Sequence, residues 1–206
     1  MAEDRDPAPG VREAMLLTVG ARGYEATTAQ EVADRAGISR DRFQRRFASK
    51  EACFAEAYEE AADELCADLL RAGRGSSGWR DGFRSALAEL LRFVTEQPLL
   101  ARALLIEVRA ARGQAWIKHQ QVVDRLVAAI DAAREEPDAL RSTSPMTAGF
   151  MAGAIEETIC LEIGAGRAGE IERLLPDLAH LVVLNFFGED VAWFELGSGD
   201  TSATAG

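Results

Sequence analysis

Five basic side chains, Arg40, Arg42, Arg45, Arg46 and Lys50, fall within eleven residues and meet one acid there, Asp41. Guanidinium and ammonium groups at that density are suited to phosphate oxygens and base edges. Little else in the chain points to chemistry. There is no Ser-His-Asp, Cys-His or paired-carboxylate arrangement and no G-x-S-x-G, so no catalytic residue is expected. His119 and His180 stand alone without a second ligand at metal spacing, and neither a metal nor a cofactor is expected. The three cysteines, Cys53, Cys66 and Cys160, lack C-x-x-C spacing. Cys53 and Cys66 lie 13 residues apart on one predicted helix, roughly 20 Å at the helical rise, too far to pair. All three read as structural thiols.

One further motif competes. Gly164-x-Gly166-x-x-Gly169 follows an apolar run, and Glu189-Asp190 stands about twenty residues beyond it. That is the outline of a dinucleotide or S-adenosylmethionine fingerprint, and a small enzyme centred on Gly164–Gly169 is the alternative reading. Two features weigh against it. Phe150, Met151, Ile155, Ile159 and Ile163 keep a helical period through the supposed strand, and only about forty residues follow, too few for a doubly wound sheet.

The elements that position the basic cluster are short and well marked. Val11 to Arg22 has apolar residues at helical spacing, and Gly23 is a natural stop. Thr27 and Thr28 each have Gln or Glu three residues later, which is the capping-box pattern. Gly37 breaks that second helix and Ser39 caps a third, Arg40 to Phe47, whose Phe43 and Phe47 at i, i+4 mark the inward face. Asp41, Arg42 and Arg45 then point outermost, with Gln44 and Arg46 on the flanks. A short helix with two phenylalanines inward and arginines outward suits the major groove of DNA. Asp41 is read as fixing Arg45 one turn on, or as accepting from a cytosine amino group.

Further helices are expected over Lys50–Ala72, Trp79–Glu96, Pro98–Arg112, Trp116–Glu136, Met146–Ile163 and Glu170–Phe187, with loops at 73–78 and 137–145. No segment reads convincingly as a strand. The chain is therefore all-α with nine helices: a DNA-binding domain at 10–50, a body at 51–196, and a disordered tail at 197–206.

The net charge of −11 argues against a nucleic-acid partner only when read globally. Residues 51–206 hold 14 basic and 26 acidic side chains, so the cluster at 40–50 is a small basic surface on an acidic body. No apolar run reaches membrane-span length, and the start MAEDRDPAPG is acidic where a secretion signal is basic. A cytoplasmic protein without membrane contact is expected.

The stretch from Gly23 to Phe54 resembles the helix-turn-helix of the tetracycline-repressor-like (TetR) family. Gly23-Tyr24, Thr27-Thr28, Val32-Ala33, Ala36-Gly37-Ile38-Ser39, Phe43, Phe47 and Ser49-Lys50-Glu51 carry the likeness. Gln44, Arg46, Asp41 and Arg42 depart from the residues usual there, which points to a changed operator preference. The resemblance implies a three-helix DNA reader followed by a six-helix domain that dimerises and binds an effector. A double-stranded, palindromic DNA operator, a homodimer and a small hydrophobic effector that releases a repressor are the implied partners. Expected DNA contacts are Thr28, Ser39, Arg40, Arg42, Gln44, Arg45, Arg46 and Lys50, with Thr28 and Lys50 on phosphate. Expected dimer contacts are Phe150, Ile155 and Ile159 on one helix with Leu174, Leu178, Leu181, Val182 and Phe186 on the next. Expected pocket walls are Phe83, Leu87, Leu104, Glu107, Trp116, His119, Val123, Phe150 and Met151. Glu107, Glu156 and Glu157 are acids on otherwise apolar helices, and a buried one would favour a cationic ligand.

Overall fold

Local signals in the chain become helix starts and stops in the structure, a computed structural model that describes residues 10–197. The lead-in at 1–9 and the tail from 198 onward lie outside the described residues. Among those described there is no strand. The first helix, α1 (Gly10–Arg22), buries Val11, Met15 and Val19 and ends where Gly23, at φ +88°, donates its N–H to the Val19 carbonyl at 2.8 Å. A left-handed residue there suits glycine, which has no Cβ to clash. In α2 (Ala29–Arg35) the reciprocal capping box forms between Thr28 and Glu31. Gly37, at φ +68°, turns the chain into α3 (Arg40–Arg46), whose cap Ser39 accepts from the Arg42 N–H at 3.2 Å. The long α4 (Lys50–Gly73) starts with the Ser49 hydroxyl accepting from the Ala52 N–H.

Packing groups the chain into two compact units, one of residues up to Glu64 with Gln97–Gln121, the other of Leu65–Glu96 with the residues from Val122 on. In the first unit α1, α2 and α3 close over Val32, Phe43, Phe47 and Phe54, all nearly inaccessible to solvent. Tyr24, Phe54 and Tyr58 form an aromatic file, with ring centroids 5.1 and 6.2 Å apart in turn. Helix α1 lies very close to α6 (Pro98–Arg102). A Cβ at Gly20 would fall 2.0 Å from the Leu99 carbonyl oxygen, so the absence of a side chain at Gly20 sets the distance between these two helices.

The segment 98–135 departs from the expected helices in two ways. Pro98–Arg112 is not one uninterrupted rod: after α6, residues Ala103–Glu107 form a π-turn, and α7 (Val108–Ala111) completes it. Helix α8 (Gly113–Asp131) starts three residues earlier than expected and tightens into a 3-10 turn at Ala132–Glu135.

The second unit contains α5 (Trp79–Glu96), α9 (Thr147–Gly164), α10 (Leu175–Phe187) and α11 (Glu189–Gly197). Trp79 stacks on Phe83 at 5.0 Å beside Phe186 and Phe187, and its ring N–H donates to the Ala129 carbonyl. The expected helix at 170–187 begins as a 3-10 stretch, Ala168–Leu174, and becomes α-helical at Leu175. Pro176 explains the boundary, since a residue without an N–H fits the first turn of a helix and not its interior. Gly188, at φ +87°, ends α10 and allows α11, a helix that the sequence pattern does not mark. If 98–111 is counted as one interrupted rod, the described residues hold ten helices instead of nine.

The glycine fingerprint does not survive. Helix α9 occupies the place of the strand it requires, and Gly164 is that helix's last residue. Glu162, just before it, pairs with Arg167 and Arg173 and is held below the usual carboxylate range chiefly by the Arg167 hydrogen bond.

Candidate nucleic-acid interface

Helix α3 presents its charged face because its two phenylalanines are drawn inward. Phe43 and Phe47 are buried with ring centroids 5.3 Å apart, leaving Arg40, Asp41, Arg42, Gln44 and Arg45 exposed on the opposite side. Among the described residues Asp41 makes no ion pair with Arg45, so the brace expected there is not formed. The Arg45 guanidinium is exposed to solvent as a fork of donors, ready for a phosphate or a base edge.

Four of the expected contact residues have work inside the chain. The Arg46 guanidinium donates to both oxygens of Glu56, at 3.2 and 2.8 Å, and lies 4.7 Å over the Phe47 ring. Arg12 of α1 reaches the same Glu56 carboxylate at 3.4 Å, so α1, α3 and α4 are tied through one acid. Lys50 donates to the Tyr24 carbonyl at 2.9 Å and sits 4.2 Å above the Tyr24 ring. Thr28 and Ser39 cap α2 and α3. The Glu31 carboxylate accepts from both the N–H and the hydroxyl of Thr28, which holds it below its ordinary pKa. A group depressed in this way stabilises the fold above the normal carboxylate range, and that support is lost as the pH falls through its folded pKa. Caps and tethers fix α2 and α3, and the exposed face of α3 stays available.

Tyr24 anchors the turn before α2. Its N–H donates to Glu107 Oε2 at 2.9 Å, and its ring packs on Phe54. Its hydroxyl is buried without a hydrogen-bond partner at bonding geometry among the described residues. Burial, then the charge of nearby Glu51, raises the phenol to about 12. An unsatisfied buried hydroxyl is a net cost. Tyr24→Phe is therefore expected to leave stability unchanged or raise it by about 1 kcal/mol in chemical denaturation. A loss above about 2 kcal/mol would show that the hydroxyl is bonded after all, with Glu51, whose charge acts on it, as the acceptor.

The expected pocket walls have different fates. In the first unit Leu104 and Glu107 are buried in the π-turn. Glu107 Oε1 accepts from Arg102 Nε at 3.2 Å while Oε2 holds Tyr24, so this acid is satisfied by the chain itself. His119 is buried with Nδ1 3.0 Å from the Tyr58 hydroxyl, and half-buried Trp116 stacks on it. In the second unit Leu87 is core, Phe83 belongs to the Trp79 stack, Val123 and Met151 are half-buried, and Phe150 is 63% exposed. Phe150 thus lies on the surface of the single chain.

The expected dimer residues also divide. Ile155, Ile159, Leu178, Val182 and Phe186 are buried within one chain, and Leu174 is half-buried. Phe150 and Leu181 remain exposed, as do Met146 and Leu161. Along α9 and its lead-in the exposed positions 146, 150, 153, 157 and 161 form one stripe at helical spacing. Periodicity alone could not separate the core side of this helix from its outer side, because apolar residues lie on both and Glu157 is the one charge in the stripe.

Sequence reasoning missed the anchoring role of two acids. Glu56 carries no local mark, since its partners are 10 and 44 residues away. Glu107 did carry one, as an acid inside an apolar helix.

The family model described as "Bacterial regulatory proteins, tetR family" matches residues 18–57. No curated protein matches the chain. Among solved structures, the fatty acid degradation regulator FadR from Bacillus halodurans is 12% identical at a TM-score of 0.75, covering 84% of this chain and 96% of that one. FadR from Bacillus subtilis, solved in complex with stearoyl-CoA, is 13% identical with the same TM-score and coverage. SmeT, the repressor of the Stenotrophomonas maltophilia multidrug efflux pump SmeDEF, is 16% identical at a TM-score of 0.71, covering 89% and 91%. At these identities the likeness is one of fold.

Proposed function

We propose, from a chain whose residues 18–57 match the model of the tetR family of bacterial regulatory proteins, that it is a repressor that binds a palindromic operator as a homodimer and is released by a small hydrophobic effector. The observation that carries this is the exposed arginine face of α3 on a capped and tethered helix-turn-helix. Residues 10–50 are the reader and 51–196 the effector and dimerisation body. Arg40, Arg42, Gln44 and Arg45 make the base and phosphate contacts, with the hydroxyls of Ser39 and Thr28 at the helix starts. Arg46 and Lys50 orient the reader through Glu56 and Tyr24, and the spare donors of Lys50 serve phosphate.

The exposed stripe of α9, with Leu181 of α10, pairs with its twofold mate as a four-helix bundle. Gly149 and Gly153 are both exposed, with no heavy atom within 4 Å of where a Cβ would stand, and so allow close helix approach there. Phe150→Glu with Leu181→Glu is expected to convert a sedimenting dimer into a folded monomer, because both protomers would bring two new charges into the interface. A dimer that persists in the double variant would place the interface elsewhere. The effector acts on α4, which begins at Lys50 and so moves the reader. Only a ligand with unequal affinity for the two states can do this. That FadR from Bacillus subtilis was solved with stearoyl-CoA and that SmeT represses an efflux pump supports an apolar ligand as the first class to screen. A mobility shift with labelled DNA from upstream of the protein's own gene tests the reading. Retarded DNA that is released by competitor operator but not by random DNA supports it, and no shift with any DNA opposes it.

A further inference from the structure

Most of the contacts that fix the reader come from within it or from the start of α4. Beside the packing of α1 on α6, a polar tie also comes from far along the chain. Glu107 lies 83 residues beyond Tyr24 in sequence, yet its carboxylate accepts the Tyr24 N–H at 2.9 Å in a buried hydrogen bond. The same oxygen approaches the place of a Cβ at Gly23 to 3.4 Å, so the carboxylate is seated against the turn that leads into α2. From the other side Lys50 holds the Tyr24 carbonyl. Tyr24 is thus gripped by one charged group on its N–H and by another on its C=O.

Glu107 reaches this position at the end of the π-turn Ala103–Glu107. A π-turn holds one residue more than an α-turn, so it rotates the residues after it by about 100° relative to a continuous α-helix. Such turns are rare and are found frequently at functional sites. A buried carboxylate that accepts a backbone N–H is a strong tie, because breaking it leaves both groups desolvated and unpaired.

We infer that Glu107 is a positioning residue for DNA binding: its carboxylate couples the helical segment 98–111 to the reader by holding the Tyr24 N–H, and the π-turn sets the register in which it does so. The inference rests on the DNA-binding reading above and adds to it a specific route by which a change in segment 98–111 reaches α2 and α3. Relaxation of the π-turn into α-helix would rotate Glu107 away, free the Tyr24 turn and loosen the reader without altering any group that touches DNA. Arg102, on the other carboxylate oxygen at 3.2 Å, is half exposed and secondary to this role.

The test compares Glu107→Leu, Glu107→Gln and Arg102→Ala in the full-length protein, by amide hydrogen exchange at Tyr24 and by titration of a DNA selected from a random pool by the wild type. Glu107→Leu is expected to speed Tyr24 amide exchange by more than about tenfold and to weaken DNA binding by about tenfold, with the salt slope of binding unchanged because no phosphate contact is lost. Glu107→Gln keeps an oxygen for the N–H and should keep Tyr24 protected, and Arg102→Ala should do the same. If Glu107→Leu does not fold, the other two decide: Tyr24 protected in both supports the inference, and Tyr24 exposed in both would assign the role to the ion pair and overturn it. Unchanged Tyr24 exchange in a folded Glu107→Leu protein would overturn it as well. Failure of the wild type to select any DNA would instead sink the DNA-binding reading, while the exchange data would still report on the tie itself.

Discussion

Gly20→Ala is expected to lose about 3 kcal/mol of stability, seen as a fall of roughly 6–12 °C in the unfolding midpoint of a chain this long. The reason is geometric. The added methyl would sit 2.0 Å from the Leu99 oxygen, 2.7 Å from its carbonyl carbon and 3.0 Å from its Cα. These are backbone atoms of α6 and cannot swing aside as a side chain tip would. Relief requires α1 and α6 to move apart, which opens the buried contacts of Met15, Val19, Ala101 and Leu104 together. In the middle of an exposed helix the same substitution would stabilise by reducing unfolded-state entropy. A midpoint within about 2 °C of wild type would show that α1 and α6 do not approach each other in this way.

Arg45→Ala is expected to weaken specific DNA binding by about 5- to 150-fold per reader if the side chain reads a base, from the ~1–3 kcal/mol typical of a good base contact. A dimer uses two copies, so the loss in free energy doubles. If Arg45 binds phosphate instead, affinity falls evenly across sequences and the salt slope drops by about 1 per reader. Stability should not change in either case, since Arg45 is exposed. Arg46→Ala behaves differently. It breaks the fork on Glu56, a pair whose side chains are 32% and 41% exposed, and should cost under ~1 kcal/mol of stability. Unchanged DNA affinity and salt slope in Arg45→Ala would remove this side chain from the interface.

What was legible in the chain was what one helix or one turn decides for itself. The box of Thr28 and Glu31, the cap at Ser39, the stop at Gly23 and the inward Phe43 and Phe47 each involve residues within four positions, and all are found in the fold. The helical period through Ile155, Ile159 and Ile163 correctly dissolved the glycine fingerprint. The rest depended on partners far away. The tie of Arg46 to Glu56 occupies a side chain that helical geometry had placed on the flank of the exposed face. Glu107 was marked by its chemistry, an acid in an apolar helix, but its partner is a backbone N–H 83 residues away rather than a ligand. Helices α9 and α10 are apolar on more than one side, so their pattern showed surplus apolar surface without saying which residues lay outermost. The π-turn in ALLIE carries no glycine or proline and left no local trace.

The regulator proposed above stands or falls on two copies of α3 entering successive major grooves. Selection of bound fragments from a random DNA pool by the full-length protein is the decisive measurement. The expected outcome is a consensus with twofold symmetry, its half-site centres about one helical turn (~34 Å) or a multiple apart, and enrichment lost in the Arg45→Ala protein. A pool that stays random after repeated selection, or an asymmetric consensus that Arg45→Ala recovers equally well, would contradict it.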